Sequence, residues 1–182
     1  MIQRILFSFL EGIKHRAQLK TIPYIDNITS IDWQAQWDAG IRVVVLDFDG
    51  VLAADRQQQL CESICAVLLT IIGIYGSHVY IFSNQPTPQR QAYFAEHFPH
   101  IQFLVAKQKP YPDGLLSVII QEQVSPEKIV LVDDRVLTGG LAATLAGIEC
   151  ILIKNPTISF SDNPLREIVF FIIRIIERGL FR

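Results

Sequence analysis

The chain has 182 residues, 50% of them hydrophobic and 19% charged, with a formal net charge of −2. That length supports one domain with a sizeable core and falls short of two ordinary ones. The charge balance argues against a nucleic-acid partner, and no stretch approaches the roughly 18 uncharged apolar residues of a spanning helix.

The first ten residues form a short apolar run that Glu11 and Lys14 interrupt, with no small-residue cleavage site after it, so no signal peptide is expected. Ile2, Ile5, Leu6, Phe9 and Ile13 alternate there with Arg4, Lys14, Arg16 and Lys20, the pattern of an amphipathic helix. Ser30 is placed to cap a helix running to Ala39, with Trp33 and Trp37 on one face and Gly40 as its stop. Near-continuous apolar runs then predict strands over 42–47, 78–83, 101–105, 129–133 and 149–153. Helices are expected between them over 57–72, 88–97 (capped by Thr87), 112–123 and 140–146 (ended by Gly147). Strand–helix alternation of this kind predicts an α/β fold, a Rossmann-like parallel sheet flanked by helices with right-handed crossovers. The core would span about 41–155, with a helical segment over 1–40 before it and an amphipathic helix over about 164–182 after it, all in one domain. Cys61 and Cys65 lie one helical turn apart in apolar sequence. Together with Cys150 they suggest core packing in a reducing, cytoplasmic compartment.

The functional argument rests on where the strands stop. The first stops at Asp47-Phe48-Asp49-Gly50, where strand geometry turns two carboxylates the same way. Such a pair needs a divalent cation, a shared proton or solvent to be tolerated. The second strand ends at Ser83-Asn84-Gln85 and the fourth at Asp133-Asp134-Arg135, while Gln108-Lys109-Pro110 precedes a helix. In a parallel sheet these ends meet at one edge, where ligands of open α/β sheets bind. Carboxylates, a hydroxyl, an amide and a cation at one edge are the parts that phosphoryl transfer needs.

The four segments, in this order, resemble the motifs of the haloacid-dehalogenase-like (HAD) phosphatases. The resemblance covers roughly residues 41–155. It implies Asp47 as nucleophile, Asp49 as general acid and base, and Ser83, Asn84 and Lys109 as phosphate-binding groups, Lys109 also serving catalysis. It further implies Mg²⁺ as cofactor, held by Asp47, by Asp49 through its backbone carbonyl, and by Asp134, with Asp133 the second candidate. Ile22-Pro23-Tyr24, Ser83-Asn84, Lys109-Pro110 and Asp134-x-x-x-Thr138 narrow the resemblance to the compact phosphatidylglycerophosphate phosphatases of that superfamily. The fourth motif departs from their pattern: Asp133 stands where a Gly is usual, and Gly139 where the final acid is usual. Val51 stands where a Thr is common.

The spacings between motifs leave no room for a large cap domain, so an open site is expected, suited to a lipid head group presented by a membrane. Arg174, Arg178 and Arg182 share one helical face. Those arginines are expected to turn toward anionic head groups, making the chain peripheral on an inner membrane face. The alternative is that both terminal helices pack on the domain or on a second copy of the chain, as in a homodimer. Two other functions compete: a phosphatase of soluble sugar phosphates, nucleotides or phosphoproteins, and a non-catalytic scaffold that the loss of an acid at Gly139 would favour.

Overall fold

The computed structural model describes residues 2–104, 107–159 and 164–181. Its centre is a six-stranded, wholly parallel sheet in the order β1-β6-β5-β2-β3-β4. The strands are β1 (Tyr24–Ile25), β2 (Val43–Leu46), β3 (Val79–Ile81), β4 (Ile101–Phe103), β5 (Ile129–Asp133) and β6 (Glu149–Ile153). The helices are α1 (Ile2–Lys14), α2 (Arg16–Leu19), α3 (Trp33–Asp38), α4 (Glu62–Tyr75), α5 (Pro88–His97), α6 (Asp113–Glu122), α7 (Leu141–Ala146) and α8 (Pro164–Phe181).

Every side chain of β2 is buried, because alternate residues serve different faces. Val44 and Leu46 pack with Trp33, Leu68, Ile71 and Phe94 from α3, α4 and α5. Val43 and Val45 pack with Leu19, Leu115, Leu141 and Phe181 from α2, α6, α7 and α8. Covering both faces is what makes a continuous Val-Val-Val-Leu run read as strand.

The expected α/β order is observed, with local corrections. The helix expected over 57–72 is α4, Glu62–Tyr75. Residues before it form turns that bury Ala53 and Ala54, with Arg56 at φ 66°. The helix before the sheet is capped by Asp32, whose carboxylate accepts from the Ala35 N–H at 2.9 Å. Ser30 instead ends a 3-10 turn opened by Asn27. Strand β1 escaped the sequence reading because it is only two residues long; it pairs with Leu152 and Ile153 at the sheet edge. Of the strand expected over 101–105, Leu104 is not part of β4, and Val105 lies outside the described residues.

The largest correction concerns the terminal helices. On α8 the inward face is Glu167, Phe170, Arg174, Glu177, Arg178 and Phe181. Ile168, Val169, Phe171, Ile172, Ile175, Ile176 and Leu180 are exposed. Arg174 and Arg178 therefore face the domain and not head groups; Arg182 lies outside the described residues. Helix α1 is arranged in the same sense. It turns Arg4, Glu11 and Gly12 inward and exposes Ile5, Leu6, Phe9, Leu10 and Ile13. Gly12 of α1 lies against the Phe181 ring at the end of α8, and just beyond, Arg16 Nε of α2 donates to the Leu180 carbonyl at 2.8 Å. No helix among the described residues is long and apolar enough to cross a membrane.

Candidate active site

The carboxyl ends of β2, β3 and β5 converge with the Lys109 loop, as parallel packing requires. Lys109 Nζ lies 2.7 Å from Asp47 Oδ1 and 2.6 Å from Asp133 Oδ2, and all three side chains are nine-tenths buried or more. Asp47, Asp133 and Asp134 each offer a carboxylate oxygen within 4.8 Å of the others. Asp47, Asp49, Asn84, Lys109, Asp134 and Thr138 line one pocket; Ser83 and Asp133 are not among its lining residues. Of the two candidate acids at the end of β5, Asp134 thus faces the pocket, while Asp133 holds Lys109.

Packing accounts for the unusual fourth motif. A Cβ placed on Gly139 would overlap the Asp133 carboxylate. The carboxyl that position 139 lacks is carried at position 133, and only a glycine leaves room for it. Gly50 is constrained in a similar way. Its φ is +90°, and a Cβ there would come within 2.5 Å of Asp134 Oδ2.

Asp49 and Ser83 take up positions the sequence did not foresee. Asp49 accepts two hydrogen bonds from Arg90, at 2.6 Å to Nη2 and 3.1 Å to Nη1. Arg90 is wholly buried, with its guanidinium 3.8 Å from the Phe48 ring centroid. Ser83 Oγ accepts from the Gln85 N–H at 3.0 Å and lies 3.5 Å from Asp49. Asn84 Oδ1 accepts from the Lys109 N–H at 2.8 Å, which anchors the lysine loop to the end of β3. Gln108 donates to the Asn84 carbonyl at 2.8 Å and accepts from Arg4 of α1, so the N-terminal helix is tied to the same loop.

Arg174 reaches in from α8 and donates through Nε to Asp134 Oδ2 at 2.6 Å. Arg90, Arg4 and Arg135 were not foreseen near the site from the sequence, and Arg174 was expected to face head groups. Nothing in a single sequence marks Arg90. The 174/178 spacing marks a helical face but not the side on which that face packs.

The acids carry more negative charge than their surroundings favour. Burial raises the Asp47 pKa well above the ordinary carboxylate range. Lys109 opposes the rise, and Asp133, Asp134 and Asp49 add to it. Burial pushes Asp134 up to about 6 against the pull of Arg174. For Lys109, burial works against the charge, but Asp133 and Asp47 outweigh it and hold the pKa above the lysine norm. Clustered, buried, hard oxygen donors of this kind fit a small divalent cation such as Mg²⁺.

The family model described as mitochondrial PGP phosphatase matches residues 6–158. The chain belongs to that family. No curated protein matches the sequence. Among solved structures, a haloacid dehalogenase-like family hydrolase from Streptococcus pneumoniae is similar at a TM-score of 0.51 and 14% identity. The match covers 73% of this chain and 99% of that one. An uncharacterized protein from Listeria monocytogenes serotype 4b is similar at a TM-score of 0.50 and 16% identity, over 69% of this chain and 85% of that one. At such identities the two structures speak for the fold alone, and it is the HAD fold expected from the motifs. Membership of the PGP phosphatase family makes the chain a HAD phosphatase, and the scaffold alternative falls away.

Proposed function

We propose that this phosphatase is Mg²⁺-dependent, works through a phosphorylated Asp47, and removes the terminal phosphate of phosphatidylglycerophosphate at a membrane surface. The observation that carries the reading is Lys109, bridging Asp47 and Asp133 at 2.7 and 2.6 Å beside the Asp134 carboxylate. In this reading Asp47 attacks the phosphorus and the lipid alcohol leaves. Lys109 holds the Asp47 carboxylate and meets the phosphoryl oxygens as charge spreads over them. Asp49 leaves Arg90 to protonate the departing oxygen, then takes a proton from the water that cleaves the aspartyl-phosphate. Asn84 fixes the lysine loop. Ser83 orients the turn after β3 and reaches phosphate only by swinging from Asp49. Asp47, Asp134 and the Asp49 carbonyl would hold Mg²⁺, with Asp133 behind them. Bound there, the cation would offset carboxylate repulsion and draw charge from the phosphoryl oxygens.

The lipid substrate is supported by the family's description and by the exposed apolar residues of α1 and α8. These helices also supply Arg4, Phe170 and Arg174 to the pocket wall. A bilayer can cover such faces while a head group enters beside them.

The test is phosphate release from phosphatidylglycerophosphate in vesicles, with and without Mg²⁺, by the full chain and by Asp47→Asn. Activity should need Mg²⁺ and fall at least about a thousandfold in Asp47→Asn. Metal-independent release, or release that survives the substitution, removes the mechanism. Faster hydrolysis of soluble sugar phosphates than of the lipid removes the substrate.

A further inference from the structure

Two guanidiniums in the pocket have no part in the mechanism above. Arg135 and Arg174 both line it, and their central carbons lie 6.0 and 5.9 Å from the centroid of the Phe170 ring. Each spends one side on an acid: Arg135 Nη2 donates to Glu177, and Arg174 Nε to Asp134. Each also holds a buried donor with no hydrogen-bond partner among the described residues, Nε of Arg135 and Nη1 of Arg174. Unmet buried donors are rare, and two on neighbouring cations in one pocket wall call for an acceptor. The Arg174 side chain is more than nine-tenths buried. Arg4 lines the same pocket from α1 and donates to the neutral amide of Gln108.

We propose that Arg135 and Arg174, with Arg4 at the rim, form a second anion subsite for a phosphodiester carried on the same molecule as the phosphate removed. The inference rests on the phosphatase reading and adds residues that choose the substrate. A guanidinium presents paired donors that match two phosphate oxygens. The two acids already paired with Arg135 and Arg174 leave little net positive charge. A singly charged diester therefore suits the subsite better than a second doubly charged monoester. Lys109, held between Asp47 and Asp133, serves the other phosphate. Arg4 and Arg174 come from α1 and α8, and Arg135 is tied to α8 through Glu177. The diester therefore lies toward the helices with apolar outer faces, and the monoester toward Asp47.

Two soluble substrates test this without any membrane. Glycerol 3-phosphate carries one phosphate, an alkyl monoester. Glycerophosphoglycerophosphate carries the same kind of monoester beside a diester. The readout is the ratio of their kcat/KM values in the full chain. The wild type should favour the second substrate. Arg135→Gln and Arg174→Gln should each lower the ratio about tenfold or more. Arg4→Gln uncovers no buried acid and should lower it in the same direction, which keeps the test sound should either buried variant fail to fold. Glycerophosphoglycerol, the diester alone, should inhibit competitively and lose potency in the same variants. A ratio unchanged in every folded variant overturns the subsite and leaves the arginines as props for Asp134 and Glu177. A wild type that treats both substrates alike overturns it too, with the phosphatase reading intact. A wild type that hydrolyses neither overturns that reading itself.

Discussion

Asp133 and Gly139 are one feature divided between two positions. The carboxylate of the first fills the space that a side chain on the second would need, and it bonds Lys109 at 2.6 Å. Gly139→Asp alone should force the two acids apart and disturb Lys109. Asp133→Gly alone should leave the buried Lys109 with Asp47 as its one remaining carboxylate partner among those described. Each should lower stability by up to about 3–5 kcal/mol, the cost of breaking a buried ion pair, and lower kcat as Lys109 loses its hold. The double exchange, which restores the family's usual order, should recover most of that loss. A double variant as poor as the product of the singles would show the positions to be independent. A second prediction concerns pH. A carboxyl whose pKa rises on folding holds its proton more tightly in the folded chain. Its contribution therefore favours folding at low pH and fades as pH climbs from the ordinary 3.8 through about 6 for Asp134. Asp47 shifts in the same direction. A divalent cation binds the ionised forms, so Mg²⁺ should raise Tm at about pH 7.5 and do little at about pH 5. An equal or larger rise at the lower pH would contradict the assignment.

Helix α8 shows what a single sequence conveys about an element and what it leaves out. Its periodicity was legible, and its bounds, Pro164–Phe181, lie within a residue of the expected 164–182. Its orientation was not. A stripe of apolar residues normally marks the buried side, and a stripe of arginines the wet one. Here Asp134 and the Ile153 carbonyl draw Arg174 and Arg178 inward, with donor–acceptor distances of 2.6 and 2.9 Å. Those acceptors lie just past β5 and at the end of β6, distant in sequence and visible only after folding. The third prediction follows from the outward side. Ile172→Glu and Ile175→Glu should leave Tm within about 1 °C, because both side chains are half exposed. The double variant should bind anionic vesicles about tenfold more weakly. A large fall in Tm would mean instead that another protein surface covers these residues.

For the whole molecule, the sheet was legible because its strands are buried on both faces and read as unbroken apolar runs. The convergence of the candidate site was legible because a parallel sheet must bring the ends of β2, β3 and β5 together. Strand β1 was too short to signal itself. Arg90 and Arg174 approach the acids from helices whose packing no local pattern specifies. The N-terminal helix closes the assembly: a Cβ on Gly12 of α1 would lie 2.5 Å from Leu137 Cδ2 and 3.2 Å from the Phe181 ring. Gly12→Val should therefore wedge α1 away from α8, lower stability by about 1–3 kcal/mol in denaturant melts and disturb the Arg4–Gln108 contact. Helix α8 bears both a pocket arginine and an outward apolar stripe, so in the membrane reading proposed above, grip on a bilayer and grip on substrate would be mechanically the same event. Turnover should then follow the mole fraction of substrate in the lipid plane. Diluting that plane with inert phospholipid at constant bulk concentration should slow the reaction, as it would for a catalyst working in two dimensions.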